Sequence, residues 1–281
     1  LDFLSQKIQS KIEMSDYLIY VLLATVCDVM PIRKLNRLIA ITTLKNFDIN
    51  KNIAFNTLFS LNDKKSKLEI NDLGYLIGPI LNAGGRLGKS SYATELLSSD
   101  NINIVNIRSN ELIKLNNKRK EIETLVLDEI NFQNIEDENK DIIIYYNPSI
   151  NEGLIGIIAA RLKDYFNKPS IVITNSNDIL KGSARSIYNY NIGRVIKNSL
   201  NYNVIIGAGL SLKKNKLKIF ENFILTDFLN AEILKDHSFL YDAEVSSLAF
   251  NMDFYNDIKN LEPYGTGNPL PTFLFKDLKV I

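Results

Sequence analysis

"NIVNIRSNELIKLNNKRKEIETLVLDEINF", residues 103–132, is the stretch that decides the architecture. Leu112, Leu115, Ile122, Leu125 or Val126, and Ile130 recur at three- and four-residue steps with lysine and glutamate between them, the spacing of a single helix. A helix of about 28 residues runs roughly 42 Å at 1.5 Å per residue, longer than one compact domain accommodates. The segment therefore predicts a connector with folded parts on both sides. Glu136-Asp137-Glu138-Asn139-Lys140 reads as a solvated turn after it.

The two sides differ in pattern. Residues 1 to about 100 read as mostly helical. Ser15-Asp16 can cap a helix carrying Tyr17, Leu18, Val21, Leu22 and Val26. Asp28-Val29-Met30-Pro31 ends it, because the residue before a proline is driven out of the helical region. Arg33 to about Leu44 and Ile53 to about Leu61 form two more helices, and Tyr75-Leu76-Ile77 looks like a strand. Beyond the connector, strands and helices alternate. Strands are expected at Ile142–Tyr146, Pro169–Thr174, Ile179–Arg185, Val204–Leu212 and Tyr241–Phe250. Helices are expected at Gly153–Phe166, Ile192–Leu200 and Leu217–Leu234. This alternation argues for an α/β domain with a sheet covered by helices. Pro263-Tyr264-Gly265-Thr266-Gly267-Asn268-Pro269 marks a further boundary, with something new from Thr272.

Bulk properties narrow the chemistry. The chain has 281 residues and a net charge of +1, so a nucleic-acid partner would have to be met by a local patch. Cys27 and His237 are the only residues of their types, which excludes disulfides and cysteine- or histidine-rich metal sites within this chain. His237 reads as an ordinary helix-ending residue. No stretch approaches the ~20 apolar residues of a membrane span, so no membrane is expected and a cytoplasmic location is the default. The first residue is Leu1, and Lys279-Val280-Ile281 falls in a strand-like run, which reads as a piece of a longer polypeptide.

Several short motifs invite a phosphate. Asn82-Ala83-Gly84-Gly85-Arg86-Leu87-Gly88-Lys89-Ser90 ends like a P-loop, which needs a preceding strand and backbone amides that cradle phosphates. Pro79 and Asn82 interrupt that context, and no apolar strand ending in an aspartate follows to hold magnesium. Lys181-Gly182-Ser183-Ala184-Arg185-Ser186 combines small residues with a guanidinium fork suited to phosphate, or is a strand-edge turn with a solvated arginine. Asn151-Glu152-Gly153-Leu154-Ile155-Gly156 opens a helix with glycines, and Gly207-Ala208-Gly209-Leu210 lets a ligand approach a sheet closely. Asp28 is the carboxylate singled out near the first helix. One carboxylate cannot hold a catalytic metal, so partners for it are expected upstream of Leu1.

Taken in order, the motifs resemble the RecJ exonucleases of the DHH phosphoesterase superfamily. Ala24-Thr25-Val26-Cys27-Asp28-Val29-Met30-Pro31 is similar to the family's "GTVADVVPL", and Asn36-Arg37 to its "ENR". Asn82 to Gly88 looks like "NAAGRLG", and Leu115 to Glu123 like "LNRERQEIE". Glu152 to Leu162 resembles "HPGVIGIVASRL", Lys181 to Ile187 "KGSGRSI", and Leu261 to Pro269 "LEPFGPGNPEP". On this resemblance the Gly-Lys-Ser is incidental and Arg86 is the residue of interest.

The resemblance implies an α/β fold class, two α/β domains joined by a long connecting helix, in four parts. Residues 1–102 are the C-terminal part of the DHH catalytic domain and 103–135 the connecting helix. Residues 136–258 are the DHH-associated substrate-binding domain, and 259–281 a linker and the first strand of an oligonucleotide-binding β-barrel. It implies metal-assisted hydrolysis of single-stranded DNA from the 5′ end, with Mn2+ or Mg2+, in DNA repair and recombination. Asp28 is the metal ligand by this match; Arg86, Gly153, Ser183, Arg185, Gly207 and Gly209 are the phosphate-binding set. A single-strand-binding protein or a helicase is the implied partner besides DNA, and the fragment alone is expected to be inactive. Two departures stand out. The family's histidine before "PGVIGIV" is Asn151, and its "GGHxxAAGL" becomes Tyr202-Asn203-Val204-Ile205-Ile206-Gly207-Ala208-Gly209-Leu210. They favour an alternative, a degenerate module that holds single strands or a partner without cutting. A P-loop nucleotidase that depends on Lys89 is the third reading. DHH enzymes of short oligonucleotides or cyclic dinucleotides fit less well, because they lack the long helix and the "EPxGxGNP" junction.

Overall fold

The structure is a computed structural model that describes residues 14–65, 67–130, 141–187, 190–198, 205–206, 209–231 and 240–276. In chain order, α1 (Leu18–Cys27), α2 (Lys34–Asn46), α3 (Ile53–Leu61), α4 (Gly78–Arg86), α5 (Ser91–Ser98) and α6 (Ile102–Glu129) come first. Then follow β1 (Ile143–Tyr146), α7 (Ile155–Phe166), β2 (Ser170–Ser176), β3 (Ile179–Arg185), α8 (Ile192–Asn198), β4 (Ile205–Ile206), β5 (Leu210–Lys213) and α9 (Leu217–Asn230). β6 (Ala243–Glu244), α10 (Met252–Lys259) and β7 (Phe273–Leu274) complete the order. The architecture is mixed α/β, and α6 is a helix of 28 residues, as the apolar spacing requires. The expected turn at residues 136–140 and His237 lie outside the described residues.

The chain divides into two compact units. One comprises Leu1–Asn82, Tyr92–Leu112 and His237–Ile281; the other comprises Ala83–Ser91 and Ile113–Asp236. The division falls within α4 and within α6.

The first unit is helical at its centre. α1 buries Ile19, Leu22 and Leu23, the three- and four-residue spacing of one face. Asn52 caps α3 by accepting a bond from the Phe55 N–H at 3.1 Å, which seats Phe55 edge-on to Tyr20 and Phe47. Tyr75-Leu76-Ile77 is not a strand. It lies in a π-helical turn, Asp72–Ile77, that runs directly into α4. Gly74 and Gly78 let that turn approach α1: a Cβ would stand 3.3 Å from Val26 Cγ1 at the first position and 2.7 Å from Cys27 Sγ at the second. Helical approach to α1 thus overrides the local β-branched and aromatic character.

The strand expected over Tyr241–Phe250 shrinks to β6, and its partner is not the large sheet. β6 pairs in parallel with β7, Ala243 opposite Phe273 and Glu244 opposite Leu274. Two-residue strands do not close a barrel, and no closed barrel is present among the described residues. The "LEPYGTGNP" segment is tied to α2 within this unit. Arg37 donates to the Leu261, Glu262 and Pro263 carbonyls at 2.8, 3.0 and 3.4 Å, and the Ile32 N–H donates to the Thr266 carbonyl. Gly267 sits at φ +73° with Pro31 Cβ only 3.0 Å from where a side chain would begin, so glycine is required twice over.

The second unit is built on a five-stranded sheet of order β1-β2-β3-β5-β4. β1 runs parallel to β2, and the remaining pairs are antiparallel. Side chains alternate along β2. Ile171 and Ile173 join a core with Leu180, Leu212, Phe220 and Ile224, while Val172 joins one with Ile158, Ala159 and Leu162 of α7. The sheet is therefore covered on both faces, which explains the unbroken apolar runs. The expected strand Val204–Leu212 is instead two short antiparallel strands, Ile206 opposite Leu210. Ile205 and Ile206 pair back onto Ser211 and Leu210, a register that apolar periodicity does not reveal.

Candidate functional site

α4 ends at Arg86, and the manner of its ending disposes of the P-loop. Gly88 takes the left-handed conformation, φ +80°, and the Lys89 N–H donates back to the Gly84 carbonyl at 2.7 Å. That is the six-to-one bond of a Schellman helix cap. The amides that a P-loop would turn toward phosphate close a helix instead, and a helix, not a strand, leads into them.

Arg86 is held at this end against the loop before α7. Its Nη1 donates to the Gly153 carbonyl at 2.9 Å. A Cβ on Gly153 would lie 3.0 Å from the Arg86 Cα and collide with its carbonyl oxygen, so only glycine permits this docking. The Asn151 side chain fixes the loop by accepting the Gly153 N–H at 2.8 Å. Opposite, β3 alternates its side chains. Gly182 faces the core, where Leu210 and Ile173 crowd it, and Ser183 and Arg185 share the other face, against α7. Arg185 Nη1 donates to Ser183 Oγ at 3.1 Å and to the Ala184 carbonyl at 2.9 Å. A Cβ on Gly156 would meet Arg185 Nη2 at 2.9 Å, so that glycine makes room for the guanidinium. Gly209 is needed where its backbone lies against the Gly182 carbonyl.

Arg86, Gly153, Gly156, Ser183, Arg185 and Gly209 line one cleft of about 460 Å³, with Glu152 and Lys181 also on its wall. Its electrostatics are lopsided. Burial lowers the Arg86 pKa first, then repulsion from Arg119 and Arg185, with Glu123 opposing. Burial likewise lowers that of Arg185. Glu123, buried, accepts bonds from Arg119 Nη1 and Arg161 Nε, both at 2.8 Å. Among the described residues neither Arg86 nor Arg185 has a carboxylate partner within ion-pair distance. Partly desolvated like charges are relieved by an anion placed between them. The cleft thus presents two half-buried guanidinium groups whose positive charge no paired carboxylate offsets among the described residues.

Of the residues expected from sequence, Arg86, Gly153, Ser183, Arg185 and Gly209 come together here. Gly207, and Tyr202, Asn203 and Val204, lie outside the described residues. Asp28 is elsewhere, in the first unit, exposed at the C-terminal end of α1. Its neighbour Cys27 has a thiol pKa raised by burial and then by the Asp28 charge. Asp28 has no companions for a metal: among the described residues no group of three or more His, Cys, Asp or Glu side chains could hold an ion. A hard divalent cation takes six or more oxygens, so the described residues by themselves do not fit one. The structural roles of Gly156, Arg119, Glu123 and Arg161 were not read from sequence. Arg119 and Glu123 are four apart on α6, a spacing that signals the pair but not its place beside Arg86. No helix among the described residues is long and apolar enough to cross a membrane.

Similarity to known proteins follows the same line. A family model described as the RecJ OB domain matches residues 241–281. The single-stranded-DNA-specific exonuclease RecJ of Haemophilus influenzae is 32% identical over 279 residues, covering 92% of this chain and 48% of that protein. RecJ of Escherichia coli is 29% identical over 280 residues, with the same coverage of 92% and 48%. A crystal structure of RecJ in complex with Mn2+ from Thermus thermophilus superposes with a TM-score of 0.83 at 20% identity. It covers 97% of this chain and 41% of that one, and at that identity it establishes the fold alone. The chain spans about half the length of the curated relatives it matches. Motif order, fold and identity along nearly the whole length agree, and the chain belongs to the RecJ family.

Proposed function

We propose that this chain supplies the strand-holding part of a divalent-metal-dependent exonuclease that trims single-stranded DNA from its 5′ end in repair and recombination. One observation carries the reading: Arg86 and Arg185, partly buried and mutually repelling, line a cleft whose walls are cleared by glycine. Such a site grips sugar-phosphate backbone and is blind to base sequence. In this reading residues 1–102 belong to the DHH domain, 103–135 connect, 136–258 bind substrate and 259–281 begin the oligonucleotide-binding barrel. Asp28 contributes one oxygen to Mn2+ or Mg2+, with its remaining ligands outside the described residues, and this chain alone does not cut. A cytoplasmic setting and association with a single-strand-binding protein or helicase belong to the same proposal.

The test is equilibrium binding of labelled oligonucleotides across a salt series. Arg185→Ala should weaken binding about equally for all sequences and reduce the salt slope by roughly 0.7, one phosphate's worth for a single strand. An unchanged affinity and slope would sink the proposal. The replacement of the family's Gly-Gly-His by Tyr202-Asn203-Val204 favours a second reading, a module that binds strands or a partner without catalysis. Manganese-dependent cleavage by the complete polypeptide would eliminate it.

A further inference from the structure

The cleft contains a cation that the phosphate reading leaves unused. β3 places side chains on alternate faces, so Lys181 lies in the same row as Ser183 and Arg185. Two residues along a strand span about 6.6 Å, comparable to the step between neighbouring phosphates on an extended strand. Lys181 lines the cleft, yet its Nζ is engaged by Glu152 Oε1 at 2.8 Å. Ser176 Oγ donates to the other carboxylate oxygen at 2.7 Å. Glu152 comes from the loop that also carries Gly153, and it too lines the cleft. The carboxylate therefore occupies, at the rim, the role a phosphate would fill: an anion held by one ammonium and one hydroxyl.

We propose that Lys181 is a further phosphate ligand of this cleft and that Glu152 is an internal anion holding it until a strand displaces it. The inference rests on the reading of the cleft as a phosphate site. The pair is well suited to exchange. The Lys181 and Glu152 side chains are 38% and 48% exposed, and ion pairs that open to water contribute little net stability. Displacement by a phosphodiester is therefore not opposed by much. The lowered carboxyl pKa of Glu152, caused by Lys181 and then Ser176, keeps the competing charge in place at neutral pH. The consequence is a built-in competition: the cleft holds one phosphate readily through Arg86 and Arg185, and the next only after Glu152 gives way.

A double-mutant cycle on the full chain decides the matter, with a short labelled oligothymidylate as probe and Arg185→Ala as the control for the cleft itself. Glu152→Gln removes the charge at constant shape. It should tighten binding several-fold at low salt and steepen the salt slope by roughly 0.7. Lys181→Ala should then cost several-fold more affinity in the Glu152→Gln background than in the unaltered chain. Equal effects of Lys181→Ala in both backgrounds, or no gain from Glu152→Gln, would overturn the inference while leaving the Arg185 result to stand. If Arg185→Ala is also without effect, the phosphate reading fails and this inference with it. All three side chains are at least partly exposed, and unchanged far-UV circular dichroism separates loss of binding from loss of fold.

Discussion

Two helix ends, α1 at Cys27 and α4 at Arg86, close with the same bond and differ in everything it serves. The Met30 N–H donates to the Thr25 carbonyl at 3.0 Å, as the Lys89 N–H does to Gly84 at 2.7 Å. In α4 the left-handed residue is Gly88, which bears it freely. In α1 it is Val29 at φ +56°, a β-branched residue for which that region costs about 1–2 kcal/mol. The α4 end is docked: Arg86 is half-buried against Gly153. The α1 end presents Asp28, Val29 and Met30 to solvent, with Val29 at 65% exposure. Strain of this kind persists where the surroundings impose it, and here it sits directly beside Asp28. The relaxed glycine end, which looks most like a nucleotide motif, is ordinary capping; the strained end hides in a segment with no glycine at all.

The largest effect should come from breaking the docked end. Gly153→Ala drives a methyl group into the Arg86 backbone, where a flexible side chain cannot swing aside. Overpacking against fixed backbone should lower stability by about 1–3 kcal/mol, read from urea unfolding. It should weaken oligonucleotide binding as well, because Arg86 loses its seat. A variant as stable and as tight as the original would mean that α4 does not end in this contact.

The second effect is a reciprocal exchange of the two caps. Gly88→Val should destabilise by about 1–2 kcal/mol by forcing a branched residue to positive φ. Val29→Gly should do the reverse, gaining somewhat under that amount because glycine also loses more freedom on folding. Little packing is lost at an exposed valine, so the gain should survive. Destabilisation by both substitutions would show that Val29 is not strained and that the two ends are alike only in outline.

Much of this was legible before the fold. The α6 spacing, the alternation after it and the order of motifs set the α/β architecture, because amphipathic periodicity is written in local sequence. Arg86, Gly153, Ser183, Arg185 and Gly209 could each be named from their motifs, but not their convergence, which depends on strand pairing and on α7 packing over β3. Tyr75-Leu76-Ile77 misled because local β character yields to a helical turn that glycines at 74 and 78 allow against α1. Tyr241–Phe250 misled because two residues of it pair with a distant segment, Phe273–Leu274, and register between distant strands has no local signature. Glu123 lies within the Leu115–Glu123 motif, yet nothing in the motif says that its carboxylate faces two arginines.

The smallest effect should come from Lys89, and it is the sharpest statement about the α4 end. A P-loop lysine contacts the terminal phosphates through its side chain, so alanine there abolishes binding. Here the contribution of position 89 to the helix end is its backbone N–H, which alanine retains. The residue is exposed, where even a paired side chain adds little. Lys89→Ala should therefore change stability by less than about 0.5 kcal/mol, the range of ordinary surface substitutions. Calorimetric titration with magnesium-ATP should show no binding to the unaltered chain or the variant. Binding that is present in the unaltered chain and absent in Lys89→Ala would restore the nucleotide reading. It would also require the Gly84–Lys89 bond to open in solution, since one N–H cannot both cap a helix and cradle a phosphate.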